Sequence, residues 1–244
     1  MTSHFIEALL RAERPLVMEV KRQDADGIDL IAGRTPADIV AGYEAAGAPC
    51  ISVVTGRWFG GTPELLRDVA RMTSLPLLQK DFITRPSQLE TAQELGASAV
   101  LLTAALLPAS SLRNLVTAAL RIGLTPFVEI TGEEELAAVP NADACVIAVN
   151  NKDIRNRERG AGDIDRSLAL LPAVRATGTP CPVSASAIDS PRTAARLLDE
   201  GFAGLLVATA LLRTGRPQEW LAELDRSRTT DTRTLRLAAP AGGV

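Results

Sequence analysis

The chain has 244 residues, 46% hydrophobic but only 3% aromatic, with a formal net charge of -3. This length suits one large domain whose core is Leu, Val, Ile and Ala. The mild negative charge, with no basic stripe interleaved with aromatics, argues against a nucleic-acid partner. No apolar run nears the ~18 residues that a membrane span needs. The N-terminal MTSHFIEALLRAERPL mixes charges and lacks a long apolar stretch, so it does not read as a signal peptide. Cys50, Cys145 and Cys181 lie in or beside apolar runs with no metal-ligand spacing. They read as buried free thiols of a reducing, cytoplasmic compartment, and no metal site is expected.

In chain order, the first β-rich run is LVMEV (16–20). TPADIVAGYEAAG follows, with Thr35 as N-cap, Pro36 in the first turn and Gly47 as a stop, which predicts a helix. Next come CISVVT (50–55) and LPLLQ (75–79). RPSQLETAQELG is helical in period, with Ser87 near its start and Gly96 at its end. SAVLLT (98–103), PFVEI (126–130), CVIAVN (145–150) and CPVSA (181–185) are further strands. SPRTAARLLDEG, from Ser190 to Gly201, precedes the last run, GLLVA (204–208).

Eight alternations of strand and helix predict a parallel sheet, because each parallel connection needs a crossover. The runs are continuously apolar, as in sheets covered on both faces. Eight units favour closure into an α/β (β/α)8 TIM barrel over residues 1–226, for which about 250 residues is usual. A doubly wound open sheet is the alternative. From Ser227 the periodicity fades, and a mobile tail over 227–244 is expected.

Active sites of such barrels lie at the C-terminal strand ends. Strand one ends Glu19-Val20-Lys21, and residues two apart share a face. Strand three ends in Lys80 and strand five brings Glu129. Strand six ends at Asn150, before Lys152. Strand seven gives Ser184 and Ser186, and strand eight Thr209. Of 26 Lys+Arg only Lys21, Lys80 and Lys152 are lysines, each near a strand end. Lysine is slim and can change protonation when desolvated, which suits a general acid or a Schiff-base nucleophile. Taken singly, each has a plain structural reading. Glu19–Lys21 could be a structural salt bridge, Lys80–Asp81 an exposed pair, Glu129 a loop acid and Lys152 part of a solvated loop. Their convergence on one rim favours a catalytic or ligand-binding cluster. His4, the only histidine, precedes the barrel, so histidine-based catalysis is not expected. FGG (59–61) is too short to read as a phosphate loop.

The phrases MEVKR, ISVVT…WFGGT, LPLLQKDFI, SQLETAQELGASAVLL, VEI, IAVNNKDI and VSASAI, in this order over about residues 16–225, resemble the indole-3-glycerol phosphate synthase family. The resemblance implies a cytoplasmic, cofactor-free carboxy-lyase, monomeric or homodimeric, with a small-molecule substrate and no nucleic-acid or membrane partner. It closes an indole ring on a carboxyphenylamino-deoxyribulose phosphate, losing carbon dioxide and water. By the same resemblance Lys80 polarises the substrate carbonyl, and Lys21 with Glu19 handles dehydration. Glu129 is the second acid/base, Asn150 orients hydroxyls, and Phe59 and Phe82 wall the aromatic pocket.

Departures cluster at the phosphate end. The family's Ser-Pro-Ser is Asp24-Ala25-Asp26, and a carboxylate facing a phosphate is unfavourable. Glu-Ser-Gly is Ala185-Ser186-Ala187, the strand-eight Gly is Ala208 before Thr209, and the arginine after Asn-Asn is Lys152. A shortened N-terminal extension implies that a helix capping the family's pocket is reduced or absent. These departures leave open a specialised-metabolism paralogue doing related chemistry on a substrate without the phosphate. A non-catalytic ligand-binding barrel and an aldolase-like Schiff-base barrel are further alternatives.

Overall fold

The computed structural model of the protein describes residues 3–154 and 162–238, with side chains through residue 228. Among the described residues, eight strands form a closed parallel barrel in the order β1 to β8. They are β1 (Leu16–Val20), β2 (Cys50–Val54), β3 (Leu77–Lys80), β4 (Ala99–Thr103), β5 (Thr125–Ile130), β6 (Val146–Asn150), β7 (Cys181–Ala185) and β8 (Gly204–Val207). The register runs unbroken from Glu19↔Ser52 on one side to Val17↔Leu206 at the closing pair. The helices are α1 (His4–Arg11), α2 (Pro36–Ala45), α3 (Pro63–Met72), α4 (Pro86–Glu94), α5 (Ala109–Arg121), α6 (Ile164–Ala176), α7 (Pro191–Asp199), α8 (Thr209–Thr214) and α9 (Pro217–Ala238).

One device starts several of the outer helices. Thr35, Thr62 and Ser190 each accept a hydrogen bond from an amide in the first turn, and each is followed by proline. Such caps are worth about 1 kcal/mol each. On α2 the box is closed, with the Asp38 carboxylate accepting from the Thr35 amide at 2.8 Å.

Alternation along the strands divides the core in two. Met18, Ile51, Val100, Val128 and Ile147 point outward and meet the helices. Val17, Cys50, Leu78, Phe127 and Val183 point inward and pack together with Phe5, Ile6 and Leu9 of α1. Helix α1 therefore plugs the end at which the strands begin. Phe5 stands edge-on to Phe127, with ring centroids 6.3 Å apart. Cys50 Sγ reaches the Phe5 carbonyl at 3.6 Å, and the Ser3 hydroxyl bonds that of Thr125. Gly204 is required here, because a Cβ on it would lie 2.7 Å from Leu9 Cδ2. The element before β1 thus seals the end opposite the mouth instead of covering the mouth.

Past Ser227, where the periodicity of the sequence fades, the chain remains helical. Helix α9 continues to Ala238, and only 239–244 of that segment lie outside the described residues. The helix is anchored by buried Trp220, Leu221 and Leu224 and by Arg14, which binds the Asp225 carboxylate with its closest approach at 2.5 Å. The three cysteines are free and buried, and burial pushes the Cys145 and Cys181 thiols up to about 12. No helix among the described residues is long and apolar enough to cross a membrane. No group of three or more His, Cys, Asp or Glu among them could hold a metal ion.

Candidate active site

At the opposite end the inward positions turn from apolar to charged. Along β1, Val17 gives way to Glu19 and then Lys21 on the same face, as the two-residue repeat requires. Glu19 is fully buried and is shared by two ammonium groups. Its Oε1 lies 3.7 Å from Lys21 Nζ, and its Oε2 lies 3.5 Å from Lys80 Nζ at the end of β3. Ser52 Oγ, on the adjacent strand, donates to Oε2 at 3.1 Å. Tyr43 of α2 donates to the Glu19 carbonyl at 2.9 Å, which pins the backbone of β1 from outside the barrel. Lys21 Nζ also sits 5.0 Å from the centroid of the Phe59 ring, within the range of a cation–π contact.

Two spaces open from this cluster. One is a polar cavity of about 560 Å³ lined by Glu19, Lys21, Lys80 and residues of the β1, β6, β7 and β8 loops. The other is an apolar slot walled by Trp58, Phe59, Phe82, Leu101 and Ile154, with Glu129 in its lining. Lys80 lines both spaces. Trp58 meets Phe82 edge-on, centroids 4.8 Å apart, at the rim of the slot. The turn carrying Trp58 and Phe59 can lie so low because a Cβ on Gly61 would fall 2.2 Å from the Val54 carbonyl oxygen, a position only glycine can occupy. That, and not phosphate binding, explains the FGG phrase. Asp81 is not an exposed partner of Lys80. It accepts from Thr55 Oγ1 and from the Phe82 amide, both at 2.8 Å, and so fixes the turn beyond β3.

At the far end of the cavity, Ser186 and Ala187 have φ of +67° and +57°. Two successive left-handed residues without glycine each cost roughly 1–2 kcal/mol. Asn151 holds them, donating to the Ser186 carbonyl and to Ser184 Oγ, both at 3.0 Å. Ser167 of α6 closes this buried network with hydrogen bonds of 2.7 Å to Asn151 and Ser184. Ser184 therefore faces the helix layer, away from the cavity. Asp24 closes the opposite wall, with Oδ2 3.0 Å from Arg213 of α8. Burial alone would raise the Asp24 pKa. The hydrogen bonds from the Ile28 and Asp26 amides and from Arg213 outweigh it and hold the carboxyl below its usual range.

The structure brings Glu19, Lys21, Asp24, Lys80, Lys152, Ser186, Ala187, Ala208 and Thr209 to one cavity, and Phe59, Phe82 and Glu129 to the slot beside it. Asn150 is fully buried, and its Oδ1 accepts from the Lys152 amide at 2.9 Å, shaping the turn that presents Lys152. Residues 155–160 of the charged NNKDIRNRERG loop, and Ala161 after it, lie outside the described residues. Three contributors escaped the sequence reading. Ser52 sits mid-strand without a motif, Arg213 is one arginine among many, and Trp58 stood quoted beside Phe59 but unassigned. The cue for Trp58 was available, since an aromatic pair next to glycines follows a strand end.

A family model for indole-3-glycerol phosphate synthase matches residues 1–224. The chain is 37% identical over 219 residues to the indole-3-glycerol phosphate synthase of Thermococcus kodakarensis, covering 89% of this chain and 95% of that enzyme. It is 35% identical to indole-3-glycerol phosphate synthase 1 of Streptomyces coelicolor, over 86% of this chain and 76% of the relative. Among solved structures, 3-hexulose-6-phosphate synthase from Salmonella typhimurium superposes with a TM-score of 0.66 at 14% identity, covering 88% of this chain and 98% of that one. That likeness shows the shared barrel alone. With the model match spanning the barrel and relatives this similar over most of their length, the chain belongs to the indole-3-glycerol phosphate synthase family.

Proposed function

We propose that the protein is a decarboxylating lyase that closes an indole ring on a carboxyphenylamino-deoxyribulose phosphate or a related N-aryl amino ketose. The observation that carries this reading is the place of Lys80. Its ammonium group stands where an aromatic slot meets a polar cavity, 3.5 Å from the buried Glu19 carboxylate. A substrate with its aryl ring in the slot and its polyhydroxylated chain in the cavity puts the ketone between them, beside that proton donor.

Ring closure forms a bond from the carboxyl-bearing aryl carbon to the ketone carbon. The carbonyl electron pair goes to oxygen, which takes a proton from Lys80. The aryl carbon–carboxylate bond then breaks, its electron pair restores the aromatic ring, and carbon dioxide leaves. In dehydration the carbon–oxygen bond breaks as the hydroxyl takes a proton from Lys21, steadied by Glu19. Glu129 removes a proton from the methylene beside the ring nitrogen, which completes the indole double bond. No electrons are gained or lost overall, so the sequence runs without a redox cofactor. Holding the reacting atoms in line supplies the remaining acceleration.

The test is direct. The purified protein is mixed with the carboxyphenylamino-deoxyribulose phosphate and, separately, its phosphate-free analogue, and indole fluorescence is followed. Indole product from either ketose at catalytic enzyme concentration is expected. No product from either at stoichiometric enzyme overturns the proposal.

A further inference from the structure

At the far end of the cavity, three groups able to bind an anion are already in use. Asp24 Oδ1 accepts from the backbone amides of Asp26 and Ile28, each at 3.0 Å. Its Oδ2 takes the Arg213 guanidinium at 3.0 Å. Two main-chain N–H groups and a guanidinium are a typical set of ligands for a phosphate. Here one side chain of the protein satisfies all three. The Asp24 side chain is only 12% exposed, so it is built into the wall. Among the described residues lining this end, Lys152 and Arg213 face three carboxylates, Asp24, Asp26 and Asp189.

We infer that the protein acts on an N-aryl amino ketose whose far terminus carries a neutral hydroxyl in place of a phosphate, with Asp24 serving as a resident anion that excludes the dianion. This rests on the ring-closing reaction proposed above and specifies its substrate. A hydroxyl can donate to the carboxylates at this end and needs no free cation. A phosphate would meet those carboxylates at close range and find the Asp26 and Ile28 amides occupied. The turn at Ser186 and Ala187 fits the same picture. It keeps the left-handed backbone but puts the Ala187 methyl on the surface that faces the ligand.

Two measurements test the inference. First, kcat/KM is compared for the carboxyphenylamino-deoxypentulose with and without its terminal phosphate. The wild-type protein is expected to prefer the neutral ketose at least about tenfold, and Asp24→Ser to lose or reverse that preference, tenfold being the effect of one good interaction. A wild-type preference for the phosphorylated ketose overturns the inference. Second, inorganic phosphate is titrated calorimetrically into wild type, Asp24→Ser and Asp24→Asn. The asparagine variant keeps an acceptor for the two amides and so guards against a collapsed loop. Wild type is expected to bind no phosphate at millimolar concentration, with at least tenfold tighter binding in Asp24→Ser. Submillimolar binding by wild type, or no gain in either variant, overturns the inference. If neither ketose is converted, the proposed reaction fails, and the phosphate titration still decides the role of Asp24.

Discussion

The two ends of this barrel are built from the same strands and do opposite work. At the lower end, inward positions such as Val17, Cys50 and Phe127 close over α1 and pack against Phe5, Ile6 and Leu9. At the upper end, two residues further along β1, the inward position is a buried glutamate clasped by two lysines. Burying apolar area stabilises the fold, whereas burying ions rarely does so, because desolvation cancels most of their attraction. The lower end therefore carries stability, and the upper end carries the proposed chemistry, held in place by the lower.

This division can be broken in measurable ways. The largest combined effect is expected for Glu19→Ala, which removes the carboxylate that Lys21 and Lys80 share. Stability falls by about 3–5 kcal/mol, as when one partner of a buried pair is removed, and ring closure is lost. Chemical denaturation and the indole assay report the two losses. Phe5→Ala separates them. It costs about 3–5 kcal/mol of stability, yet kcat at 25 °C stays within a few-fold of wild type, because Phe5 lines neither the cavity nor the slot. Trp58→Ala makes the reverse separation on a smaller scale. Trp58 is 58% exposed, so the melting temperature barely moves. Removing the indole from the slot wall raises KM up to about tenfold with kcat little changed, tenfold being about 1.4 kcal/mol of lost binding.

The smallest effect concerns pH. The Asp24 carboxyl is held below its usual range by the Ile28 and Asp26 amides and by Arg213, against the opposing pull of burial. Its contribution to stability is thus complete above the unfolded value of about 3.9 and fades as pH falls through the lower folded value. Arg213 is 60% exposed, so the ion pair is worth no more than about 1 kcal/mol. The difference in melting temperature between wild type and Asp24→Asn, present at pH 7, is expected to shrink as pH falls below about 3.9.

What could be read from the chain alone follows the same division. Strands covered on both faces leave unmistakable apolar runs, so LVMEV and CPVSA have their observed bounds. Lys80 stood out because lysine is scarce in this chain. Arg213 did not, being chemically identical to many surface arginines until Asp24 is seen beside it. Alternation suggested that Ser184 and Ser186 share a face. It fails because β7 ends at Ala185 and the chain turns left-handed at Ser186, so Ser184 looks outward and Ser186 lines the cavity. Helix α9 beyond Ser227 has no clear apolar stripe, and helical continuation from a well-anchored segment left no pattern to find.

In the proposed reaction the Lys80 ammonium, held by Glu19 at the junction of slot and cavity, protonates the substrate carbonyl. Single-turnover indole formation by Lys80→Met, measured together with its melting temperature, tests this most directly. The expected result is a rate lower by at least about 10³-fold, within the range of general acid catalysis, in a protein that melts within a few degrees of wild type. A variant that stays folded and forms indole within tenfold of the wild-type rate would contradict the claim.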